Sequence, residues 1–146
     1  MTPEYLRDVK AAEGEVDLRD RSLELSRRSR ALKIWLTFRI YGVDRIRQAI
    51  GHGIALAEFA QALIERSDAW QVITPAQLGI ITFALVGGSK AHHERAAKRV
   101  AASGFAAVTS TVLKNRSVLR LCTINPLTTE DDIRETLDRL QAAASE

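Results

Sequence analysis

The sequence predicts an α+β fold: N-terminal helices, then a β-β-α-β-β-α unit whose antiparallel sheet carries helices packed on one face. Three observations predict it. Apolar residues recur at helical spacing as far as Arg66. Beyond Ser67-Asp68 the period shortens to that of strands. Two strand pairs are then each followed by a helical stretch with its own cap, and hairpins joined by helices give an antiparallel sheet covered on one side. A chain of 146 residues is one domain's worth, and its 46% hydrophobic and 27% charged residues suit a folded core with a charged surface.

Residues 1–25 are polar and weakly periodic. Thr2-Pro3-Glu4 can open a short helix, Glu13-Gly14-Glu15 reads as loop, and the stretch is expected to be extended or partly disordered. From Ala31 to Tyr41 the apolar residues Leu32, Ile34, Trp35, Leu36, Phe38 and Ile40 fall on nearly every face of a helix, which predicts burial on several sides. Gly42 interrupts. Asp44 is the expected N-cap of a second helix ending near Arg66, with Ile46, Ile50, Ile54, Ala57, Leu63 and Ile64 as its buried stripe. Gly51 and Gly53 lie inside it. Each costs about 1 kcal/mol relative to alanine, which suggests a close neighbour or a weak point.

Trp70 to Pro75 and Gly79 to Val86 are the first strand pair, closed by Gly87-Gly88. Ser89 is placed to cap a helix from about Lys90 to Ser103, with Gly104 as its stop. Ala106 to Leu113 and Ser117 to Ile124 form the second pair around Lys114-Asn115-Arg116. Pro126 ends it. Thr128 is the expected cap of the last helix, with Asp131 three residues on as a capping box, and Ile133, Leu137 and Leu140 as its inner face.

Composition excludes several function classes. No apolar run approaches the ~18 residues of a membrane span, and the first residues lack the apolar core of a secretory signal. The single cysteine, Cys122, rules out an internal disulfide and fits a reducing cytoplasm. It lies in an apolar strand, so an inert buried thiol is expected. The net charge of +3 is concentrated: six basic and two acidic residues lie between Arg19 and Lys33. Such a patch suits phosphate, nucleic acid or the carboxylates of another protein surface. It lacks interleaved aromatics, and no strand carries the aromatic pair of an RNA-recognition motif, which argues against nucleic acid. No Gly-x-Gly-x-x-Gly or Walker loop occurs. His92-His93-Glu94 are consecutive and splay apart on a helix, and no cysteines complete a zinc site, so no metal is expected.

Arg120 is the residue most open to a chemical role. It interrupts Val118-Leu119-Arg120-Leu121-Cys122, an otherwise apolar strand, and shares a face with Val118, Cys122 and Ile124. A guanidinium among apolar neighbours needs a partner, and its planar fork suits a carboxylate. A solvated edge-strand arginine and a structural ion pair remain open alternatives. Ser26 is the second candidate, with a capping role as its alternative.

Ser26-Arg27-Arg28-Ser29-Arg30-Ala31-Leu32-Lys33-Ile34-Trp35 is similar to the Ser/Gly-Arg-Arg-x-x-x-Leu-Lys-x-Trp element of the pyridoxal-phosphate-dependent group II amino-acid decarboxylases. That family includes aromatic-amino-acid, tyrosine and glutamate decarboxylases. Leu119-Arg120-Leu121, followed by Asn125-Pro126 and Asp131-Asp132-Ile133, resembles the family's C-terminal strand. The resemblance implies that residues 1–30 are a polar lead-in from a missing large cofactor domain and that 31–146 form the small C-terminal domain. It implies a substrate-side role for Arg120, whose counterpart in glutamate decarboxylases faces the substrate carboxylate. It implies at Ser26 a preference for phenolic substrates such as tyrosine or DOPA, because a hydroxyl can hydrogen-bond a phenol where glycine leaves room for an indole. Arg27, Arg28, Arg30 and Trp35 would tie domains or subunits together. The full-length family enzyme uses pyridoxal phosphate and works as a dimer. The family's Asn-x-His-Lys motif, which carries the Schiff-base lysine, does not occur here. No catalytic residue is therefore assigned, and the chain alone is expected to bind no cofactor and to have no decarboxylase activity. A homo-oligomer is expected from the underburied apolar helix. A stand-alone assembly or binding module without catalysis is the alternative.

Overall fold

The computed structural model describes residues 29–145, which divide into two units between Ile40 and Tyr41. The first contributes a helix, α1 (Arg30–Tyr41), that runs one residue past the division. None of its residues is buried. Thr37 donates its hydroxyl to the Lys33 carbonyl at 2.8 Å, and the Arg39 guanidinium stands 5.8 Å from the Trp35 ring centroid. The predicted burial of this helix is therefore not met within the described residues.

The second unit begins with α2 (Val43–Glu65). Its N-cap is Gly42 and not Asp44, which lies within the first turn and pairs with Arg47. A carboxylate there still complements the helix dipole. The buried face consists of Gly53, Leu56, Ala57, Ala60 and Ile64. Ala57 and Ile64 belong to the predicted stripe, whereas Ile50 is 58% exposed. The buried stripe passes through Gly53, where the helix approaches the backbone of Thr123 so closely that no side chain fits.

β1 (Trp70–Gln77) and β2 (Ile80–Leu85) pair antiparallel across Leu78-Gly79, with Trp70 opposite Leu85 and Val72 opposite Phe83. Gln61 of α2 accepts the Ala76 amide at 2.7 Å and ties the helix to β1. The register slips near Thr74, where the Thr82 hydroxyl accepts the Thr74 amide at 3.1 Å and fills the ladder position. α3 (Lys90–Ala102) starts at Ser89, whose hydroxyl accepts the His92 amide while the His92 ring accepts the Ser89 amide. Gly104, at φ 73°, follows its end as expected.

β3 (Thr109–Leu113) and β4 (Arg116–Cys122) form a hairpin with Lys114 and Asn115 both at positive φ, a two-residue turn that matches the twist of the strands. α4 (Glu130–Ser145) is capped by Thr129 with Asp132, one residue beyond the expected Thr128 and Asp131. Asp132 also accepts the Thr129 hydroxyl at 2.8 Å. In the loop before the cap the Asn125 side chain accepts the Leu127 amide, a local turn-forming bond.

The strand order is β1-β2-β4-β3, antiparallel throughout. The core lies between one sheet face (Ile81, Phe83, Leu119, Leu121) and residues of α2, α3 and α4 such as Ile64, Val100 and Leu140. Trp70 meets Phe83 edge to face at 5.3 Å. This is the predicted α+β arrangement with helices on one face.

Candidate functional site

Strand alternation decides where Arg120 goes. Leu119 and Leu121 are buried in the core, so Arg120 lies on the opposite face of the sheet, which it shares with the buried Val118. Arg120 is exposed, with Thr82 on one neighbouring strand and Thr109 on the other. Among the described residues it makes no hydrogen bond or ion pair. Val118, two residues before it on the same face, is fully buried. The expectation of a guanidinium among apolar neighbours is thus modified: its cross-strand neighbours are hydroxyl residues. Cys122 is exposed, which corrects the expected buried thiol. The residue ends β4 and lines a cavity of about 370 Å³ together with Asn125 of the following loop and Thr136 of α4.

The remaining predicted residues are not brought to Arg120 by the described fold. Ser26, Arg27 and Arg28 lie outside the described residues. Arg30 and Trp35 are on α1, both exposed.

Two histidines that sequence reasoning set aside have defined positions. His52 of α2 donates from Nε2 to the Thr128 carbonyl at 2.7 Å and holds the loop between β4 and α4. It lines a cavity of about 500 Å³ with Tyr41, Arg45, Ala49, Pro126 and Leu127. His93 is 2% exposed. Its Nε2 accepts the Leu85 amide at 3.1 Å, so the neutral ring carries its proton on Nδ1 and donates to Ser117 Oγ at 3.1 Å. Burial pushes its pKa below 6.5, and the charges of His92 and Arg116 push the same way. The adjacent His-His pair was the only signal in the sequence, and it did not distinguish the capping His92 from the buried His93.

A pyridoxal phosphate site requires a lysine held in a cavity, an acidic partner for the ring nitrogen and a phosphate cradle. The described residues do not fit that group. Lys33, Lys90, Lys98 and Lys114 are all exposed, and Lys90 is paired with Glu94 at 3.6 Å. None of them lines the cavities around His52, Trp70 or Cys122. Among the described residues no three His, Cys, Asp or Glu converge as metal ligands, and no helix is long and apolar enough to cross a membrane.

The family described as "Pyridoxal-dependent decarboxylase conserved domain" matches residues 1–86. The chain is 42% identical to an aromatic-L-amino-acid decarboxylase of Bacillus atrophaeus, over 100% of this chain and 32% of that protein. It is 30% identical to tyrosine decarboxylase 2 of Narcissus pseudonarcissus, over 98% of this chain and 30% of that protein. The fold superposes on the crystal structure of Oryza sativa TDC with PLP and tryptamine at a TM-score of 0.74 and 25% identity, covering 88% of this chain and 29% of that one. The chain belongs to the pyridoxal-dependent decarboxylase family. It spans about a third of the length of the curated relatives it matches.

Proposed function

We propose that this chain is the C-terminal, substrate-side portion of a pyridoxal-phosphate-dependent decarboxylase that converts an aromatic amino acid to its amine. Residues 1–30 are the lead-in from the cofactor domain and 31–146 the small domain. The cofactor and its lysine belong to polypeptide outside this chain. The observation that carries this reading is the position of Arg120, exposed and without a partner among the described residues, in a chain 42% identical along its whole length to an aromatic-L-amino-acid decarboxylase.

On this reading Arg120 offers its fork to the substrate carboxylate, an interaction that gains strength as water is excluded. Ser26 contacts the substrate ring and favours a phenol, to which its hydroxyl can hydrogen-bond. Arg27, Arg28, Arg30 and Trp35 join domains or subunits. The assembled protein is a cytoplasmic homodimer. The chain alone binds no pyridoxal phosphate and releases no carbon dioxide.

The test has two arms. The purified chain is titrated with pyridoxal phosphate and watched for aldimine absorbance; a saturable band sinks the claim that the lysine lies elsewhere. A chimera is then made in which the chain replaces its matched third of the Bacillus atrophaeus protein, and amine formation is followed with tyrosine, DOPA and tryptophan. Activity on the phenolic substrates supports the reading; a chimera that folds and retains pyridoxal phosphate yet forms no amine overturns it.

A further inference from the structure

Resting on the reading that this chain completes a longer decarboxylase, we propose that the cavity bounded by Tyr41, Arg45, His52 and Leu127 seats a segment of the cofactor-binding polypeptide. The segment that fits presents an apolar side chain next to an Asp or Glu.

The cavity's shape and chemistry specify that occupant. Its volume of about 500 Å³ holds more than one large side chain, and Ile46, Ala49, Pro126 and Leu127 give it apolar walls. Leu127 is 83% exposed and Ile124, three residues before it, 82%. Apolar side chains left in water on one loop mark a surface that is covered in an assembly. Leu78 adds to the same end of the molecule at 74% exposed. A β-carbon on its neighbour Gly79 would touch Ile124 at 3.7 Å, so the β1–β2 turn and the Ile124 loop are adjacent.

Charge narrows the choice further. Arg45 lines the cavity and makes no hydrogen bond or ion pair among the described residues. No acidic residue lines it. A guanidinium at the mouth of an apolar pocket selects a carboxylate on whatever enters. The wall is also held in advance: the His52 bond to the Thr128 carbonyl fixes the loop that carries Leu127, so little ordering remains for the partner to impose.

One observation favours the rest of the family protein over a second copy. The matched relatives carry roughly twice this chain's length beyond it, so an extensive partner is available within one polypeptide.

The chimera with the Bacillus atrophaeus protein provides the test, loaded with pyridoxal phosphate and unfolded in a calorimeter. Docking predicts a single shared transition that splits in two with Leu127→Asp or Arg45→Glu. Val112→Asp, at an exposed site in β3, is expected to leave it single. Each variant is first made in the free chain, where an unchanged melting temperature shows that it folds. If both cavity variants leave the chimera's transition single, the seat is wrong while the family reading stands. If the unsubstituted chimera already melts in two steps, the reading itself fails, and the seat with it. If Leu127→Asp dissolves self-association of the free chain in sedimentation but spares the chimera, the cavity serves a second copy and the proposal is overturned.

Discussion

Gly53 of α2 and Thr123 at the end of β4 approach so closely that a β-carbon on Gly53 would stand 2.6 Å from the Thr123 carbonyl oxygen. The Thr123 hydroxyl donates back to the Gly53 carbonyl at 2.6 Å, with the Gly79 carbonyl also within reach at 3.2 Å. The Thr123 amide donates to Gly79 at 2.9 Å. One threonine thus pins the helix, the β1–β2 turn and the loop leading to the His52 cavity. Gly53→Ala is expected to destabilise the unit by about 1–3 kcal/mol, the usual cost of overpacking. Gly51→Ala, where a β-carbon meets nothing within 4 Å, should be neutral or stabilising by about 1 kcal/mol. Urea unfolding of the two variants side by side checks the contrast; equal effects would show that the helix does not lie this close.

Thr129→Ala should cost about 1 kcal/mol of stability, because it removes the hydroxyl that accepts the Asp132 amide at the start of α4. Thr128→Ala should cost less, since no hydrogen bond of the Thr128 side chain caps the helix. Hydrogen bonds from Thr129, its amide first and then its hydroxyl, hold the Asp132 carboxyl below its ordinary pKa. The cap's contribution is therefore present above that ordinary value and lost as pH falls through the lowered one. A thermal scan at neutral and acidic pH should show the gap between wild type and Thr129→Ala narrowing in acid, by the share that the hydroxyl–carboxylate bond carries, while the bond from the Asp132 amide to the hydroxyl keeps it from closing.

His93 gives stability a second pH dependence at milder values. Its folded pKa lies below 6.5, so between the two values the unfolded chain binds more protons than the folded one. Its contribution is complete above about pH 6.5 and declines as pH drops from there toward the folded pKa. Protonation would place a second N–H against the Leu85 amide that Nε2 now accepts. Melting temperature should fall below pH 6.5 in the wild type, and this part of the fall should vanish in His93→Gln. A wild-type profile that is flat over that window would contradict the buried neutral ring.

Arg120→Leu should leave the stability of the free chain within about 0.5 kcal/mol, as for an exposed residue without partners. In the active chimera it should raise KM and lower kcat/KM by tenfold or more, with Arg120→Lys recovering part of the loss, since lysine keeps the charge but not the fork. Unchanged kinetics would remove Arg120 from the substrate side.

The free chain should sediment as a dimer or larger species, because α1 carries Ile34 at 59%, Trp35 at 56% and Ile40 at 70% exposure. Ile34→Glu with Phe38→Glu, one turn apart, should give a monomer. A wild-type monomer at high concentration would exclude self-association through this helix.

Local sequence determined what depends on neighbours along the chain. The shift of period after Asp68, the Ser89 cap, the Gly104 stop and the inner face of α4 were all legible, because caps and periodicity act within one turn or one strand. So was the set of residues that share a face with Arg120, since alternation fixes it. The family was legible too, in Ser26–Trp35 and in the residues around Arg120. Only the tertiary structure decided the rest. Cys122 looked buried by its neighbours, yet at the end of β4 it is exposed, on the rim of a cavity that α4 helps to wall. Ile50 fitted the stripe of α2, but the closeness of Gly53 to Thr123 moved the buried face onto Gly53, Leu56 and Ala60. His52 and Thr128 are far apart in the chain and bond directly. The physical reason is the same throughout: burial and pairing are set by what lies across the gap between elements, and that is fixed only once the whole sheet and its helices have packed.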